Sequence, residues 1–317
     1  MNPWHDNQGR LRSVWRFPLG LVVAFVANFI AIGVASSLSH NSNRILEAVY
    51  RPLTVILLLV GYALLLMSAD QVDEHFFAAM GLGRFSGWRR QTLEGLAIGT
   101  ALIVVAVVAM AVFGDLRATV SISSRTILLA ISELFILATA AMGEELMFRS
   151  YPFQRLREAA GPVVAVVVMS LLFGMAHQGN PHASNLAMLN TCVIGALLCF
   201  AYLRTGALWM SWGIHFAWNT ALGLVFGLPV SGLTDFAVMA KTRASGPRWM
   251  TGGSYGIEGS WLGTIVIVLG LVPVVLLTRR DAVLARTRAE ATATPSSDGW
   301  DQQNSTDQPP QGRIQQY

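Results

Sequence analysis

Charge is what this sequence has least of: only 13% of its 317 residues are Asp, Glu, Lys or Arg, against about a quarter in soluble domains. With 53% of the residues apolar, that scarcity excludes a chain whose main solvent is water. Cysteine is nearly absent as well. Cys192 and Cys199 lie seven apart in one apolar run, so they share a helix face, cannot bridge within it, and read as buried, reduced side chains. There is no CxxC pair, which removes the common zinc-finger and redox signatures, and no HExxH. No internal repeat appears. The net charge of +4 comes from basic residues placed singly or in pairs, not in a stripe. This argues against a nucleic-acid partner and for cations that anchor helix ends at lipid headgroups.

What the sequence has in quantity is long apolar runs. A helix rises 1.5 Å per residue, so about twenty apolar residues cross roughly 30 Å of hydrocarbon. Eight such runs lie near 17–37, 52–69, 92–113, 126–148, 162–178, 184–204, 207–227 and 261–278. They predict an all-α fold, a polytopic integral membrane bundle of about eight transmembrane helices. The run after Arg10, Arg12 and Arg16 is longer than the apolar stretch of a signal peptide, so an uncleaved first span is expected.

Residues 1–125 then hold spans 1–3, 126–227 hold spans 4–7, 228–260 form an external loop and 261–280 the final span. The loop contains Pro229, Pro247 and several glycines and reads as an irregular cap. Residues 281–317 turn polar and read as a disordered tail. Fourteen basic residues near the membrane, from Arg10 to Arg288, would share the side of the amino terminus. Seven, Arg44, Arg51, Arg117, Arg125, Lys241, Arg243 and Arg248, would face the other side. The positive-inside rule then puts both termini in the cytoplasm of a multi-pass protein of the cell membrane.

Ionisable residues are expensive in hydrocarbon, about 2.5–3.5 kcal/mol or more at mid-helix, so they mark where function is sought. The fourth run ends in Gly143-Glu144-Glu145-Leu146-Met147-Phe148-Arg149. Adjacent carboxylates point about 100° apart, whereas Glu145 and Arg149 are four apart and can pair, leaving Glu144 for a separate task. Phe173-Gly174-Met175-Ala176-His177 closes the fifth run, and Ser211 to Asn219 places His215 and Asn219 one turn apart on one face of the seventh. Glu133, three turns before Glu144, reads as a polar contact to another span.

The ordered set EExxxR, FxxxH and HxxxN, with Gly206-Ala207-Leu208-Trp209 ahead of the second histidine, resembles the CAAX protease and bacteriocin-processing family of intramembrane proteases. The resemblance covers about Ser132 to Leu224. It implies an intramembrane endopeptidase acting on a membrane-associated protein or peptide, within the lipid bilayer. It further implies that Glu144 with His177 activates water while His215 and Asn219 stabilise the oxyanion, with Glu145 and Arg149 in support.

Glu144, His177 and His215 also have the residue types of a divalent metal site, zinc for example, so the metal question stays open at this level. Two other classes compete. One is a non-catalytic membrane partner, such as a bacteriocin-immunity or scaffold protein, and the other is a transporter, which the absence of repeat symmetry disfavours. One geometric condition follows: Glu144 and His177 lie similar distances either side of a turn near Gly161, so they can be level if the helices pack antiparallel, and Pro152 predicts a kink between them.

Overall fold

The computed structural model describes residues 4–6, 11–39, 43–67 and 76–278. In chain order the elements are α1 (Ser13–Leu38), α2 (Asn43–Met67), the short α3 (Phe76–Ala79), α4 (Trp88–Phe113), β1 (Asp115–Val120), α5 (Ser124–Arg149), α6 (Tyr151–Ala176), α7 (Asn185–Thr205) and α8 (Leu208–Asn219). A π-helical turn, Thr220–Val225, prolongs α8. There follow β2 (Ala240–Ser245), α9 (Arg248–Thr251), two 3-10 turns, α10 (Trp261–Leu269) and α11 (Leu271–Leu277). All eight apolar runs are helical over most of their length. Among the described residues five helical stretches are long and apolar enough to cross a membrane, and the protein is an all-α integral membrane bundle. The proposed polar tail lies outside the described residues.

The burial pattern inverts that of a soluble protein. In α1 the buried face is small, with Ala24, Ala27, Ala31 and Ala35, while Phe25 and Phe29 are exposed. Large side chains facing outward and small ones facing neighbours is the packing expected where lipid replaces water and close approach gives the contact energy. The same logic brings α4 and α8 together. A Cβ added at Gly213 would stand 2.7 Å from the Thr92 carbonyl oxygen, and one at Gly95 or Gly99 would collide with the α8 backbone. These glycines let two backbones touch and fix α8, which carries His215.

The helical stretch from Ser124 to Ala176 is not one rod. It breaks at Ser150, whose hydroxyl donates to the Met80 carbonyl at 2.9 Å, and again at Gly161, where φ is 86°. Only glycine adopts that conformation cheaply, and Pro162 then starts the next arm with no N–H to satisfy. The chain thus turns back, so that the end of α6 can come level with the end of α5.

The segment 228–260 is more ordered than its composition suggests. Residues of β2 pair antiparallel with β1, Arg117 facing Arg243 and Thr119 facing Lys241. The segment's alternation is too short and polar to announce a strand, and its partner residues lie 120 to 130 positions away in sequence, so no local signal exposes the pairing.

Candidate active site

Three helix ends meet. α5 supplies Glu144 and Glu145, the end of α6 supplies His177, and α8 supplies His215 and Asn219. Trp212 Nε1 donates to the Ala138 carbonyl at 3.0 Å, setting the height of α8 against α5. A cavity of about 560 Å³ opens on Glu144, His177, His215 and Asn219.

Glu144 Oε2 stands 3.8 Å from His177 Nε2 and 3.6 Å from His215 Nε2. It is buried and has no hydrogen-bond partner among the described residues. Both imidazoles are turned by contacts on their far nitrogens. His177 Nδ1 meets the Phe173 carbonyl at 2.8 Å, an oxygen that can only accept, so Nδ1 carries the proton. His215 Nδ1 meets Glu145 Oε1 at 3.0 Å and donates to that carboxylate when it is ionised. Each ring therefore presents Nε2 to Glu144.

Glu145 and Arg149 form the expected pair, 3.2 Å apart and fully buried. Their contacts run to His215 and to Phe173, over whose ring the Arg149 guanidinium lies at 4.2 Å, and not to Glu144. The contact of Glu145 within the site is thus to His215. Phe173 also packs on both catalytic candidates, 4.6 Å from His177 and edge-on at 6.0 Å from His215. Glu133 makes the polar contact expected of it, pairing with Arg44 of α2.

Two charged contributors come from segments distant in sequence. Arg51 of α2 lies 4.0 Å from Glu144 Oε1 and 2.5 Å from Glu47. Glu258, in the 3-10 turn Ile257–Gly259, lines the cavity, accepts from Trp218 Nε1 at 2.9 Å and holds Ser231 through its hydroxyl at 3.0 Å. Beside it, burial pushes the Tyr255 phenol above its ordinary value. Nothing near either residue in sequence marks it: Arg51 sits just ahead of the second apolar run, where a cation reads as a headgroup anchor.

A divalent metal fits this arrangement poorly. Among the described residues no group of three or more His, Cys, Asp or Glu side chains is assembled to hold one. The Arg51 guanidinium, always charged, already stands against the Glu144 carboxylate.

A membrane-embedded bundle whose polar cavity joins a carboxylate to two oriented imidazoles has the make-up of an intramembrane hydrolase. Residues 126–221 match the family model described as Type II CAAX prenyl endopeptidase Rce1-like, which agrees with the resemblance carried by the three motifs in that segment. No curated protein and no solved structure matches the chain.

Proposed function

We propose that this protein hydrolyses a peptide bond of a membrane-associated protein, with Glu144 and His177 activating the water. The observation that carries this reading is the unpartnered Glu144 Oε2, 3.6 and 3.8 Å from two Nε2 atoms. That spacing is too long for direct hydrogen bonds and suits a water that bridges them.

A water between Glu144 and His177 loses a proton to them as its oxygen attacks the substrate carbonyl carbon. The new C–O bond pushes the carbonyl electrons onto oxygen. His215 Nε2–H and the Asn219 amide donate to that oxyanion. As it collapses, the C–N bond breaks and the held proton passes to the leaving nitrogen, giving a carboxylate and an amine. Glu145 keeps His215 donating through Nε2 by accepting from Nδ1 in the protonated ring. Arg51, on the other Glu144 oxygen, leaves Oε2 to the histidines.

The test compares protein termini in membranes of cells making wild type or Glu144→Ala at equal levels of folded protein. New termini that depend on Glu144 support the peptidase and name its substrate. Identical termini overturn it in favour of a non-catalytic partner.

A further inference from the structure

Four of the seven cations assigned to the far side of the membrane converge on one feature the peptidase chemistry does not use. Arg44, Arg117, Lys241 and Arg243 line an open basin beside the β1–β2 ribbon, bounded by Leu129 of α5 and by Asp235. The ribbon's register sets Arg117 directly opposite Arg243, with Lys241 next but one along the same face. Like charges placed across a strand pair destabilise it, and neither contributes to a buried core. Arg117 bonds Asp115 at 2.9 Å and Arg44 pairs with Glu133, but among the described residues Lys241 and Arg243 have no carboxylate within 4.0 Å.

The flanks of the ribbon are bare hydrocarbon. Phe113 and Val120 bracket β1, Ile122 follows it and Leu128 stands on α5, all between 65% and 75% exposed. Charge therefore begins where lipid-facing apolar surface ends, the level at which phospholipid headgroups lie. We propose that this basin binds the phosphate of an anionic phospholipid, whose acyl chains lie along those exposed side chains. A soluble phosphate would meet the cations but leave the apolar flank unused. The segment from Gly227 to Val238 puts Pro229 and Asp235 on the basin and Val230, Ser231 and Phe236 on the catalytic cavity, so a bound headgroup braces the cavity's outer wall.

The test uses the full chain in phosphatidylcholine nanodiscs with or without phosphatidylglycerol, the retained lipid being identified by native mass spectrometry. Wild type should retain phosphatidylglycerol over phosphatidylcholine by about five-fold or more, the effect of one interfacial cation. Lys241→Gln/Arg243→Gln should remove the preference. A single Arg243→Thr, which relieves the clash with Arg117, should raise the melting temperature in pure phosphatidylcholine while lowering phosphatidylglycerol retention. A merely structural role would move both the same way. Equal retention of the two lipids by wild type overturns the proposal, as does displacement of the lipid by millimolar inorganic phosphate or by an acidic peptide. The readout is lipid retention, so it stands or falls independently of peptidase activity.

Discussion

The last two turns of α5 divide between a dry side and a cavity side, and neighbouring carboxylates have opposite surroundings. Glu145 is fully buried, with Arg149 at 3.2 Å and His215 at 3.0 Å. Glu144 opens on the cavity, its Oε2 facing two imidazoles at distances beyond hydrogen-bond range, with Arg51 4.0 Å from its other oxygen. A buried ion pair of the first kind adds little net stability over an apolar pair, yet it is costly to break. Its value here is geometric, since it fixes which way the His215 ring points. The second kind faces the cavity, with its Oε2 between two imidazoles.

The largest expected effect tests the cavity side. Glu144→Gln should lower turnover by about 10²- to 10⁴-fold, the scale of lost general-base catalysis, while the thermal unfolding midpoint stays at the wild-type value. On the dry side the order reverses. Arg149→Leu leaves Glu145 as an uncompensated buried charge and should cost roughly 3–5 kcal/mol of stability. Adding Glu145→Leu should restore most of that stability in unfolding experiments without restoring activity, because His215 then lacks its Nδ1 acceptor.

Asn219→Ala should leave folding intact and reduce kcat by about 10²- to 10³-fold, the loss typical of one oxyanion donor. The smallest effect is expected from Arg51→Gln. This partly exposed pair should be worth no more than about 1 kcal/mol, seen as a several-fold fall in turnover with unchanged melting. A collapse of folding in Arg51→Gln would move Arg51 from the cavity side to the dry side of the comparison.

The transmembrane segments were readable because hydropathy is a property of twenty consecutive residues, and the helices formed where the apolar runs lie. The turn that brings His177 level with Glu144 was also written locally, in Gly161, Pro162 and the break before Pro152. Other features depend on tertiary placement and leave no mark in their own neighbourhood. Glu145 could be paired with Arg149 by counting four residues, but its second partner, His215, depends on the rotation of α8 that Gly95, Gly99 and Gly213 permit. Arg51 and Glu258 reach the cavity from segments well outside the three motifs. The ribbon joins two strands that are unremarkable alone and far apart in sequence.

The most direct test of the account is turnover of purified wild type after exhaustive chelation, measured beside Glu144→Gln on a substrate found from the termini comparison. The account predicts that chelated wild type keeps its full rate while Glu144→Gln falls by at least about 10²-fold. Chelated wild type falling to the level of the variant, or the variant turning over at the wild-type rate, would contradict it.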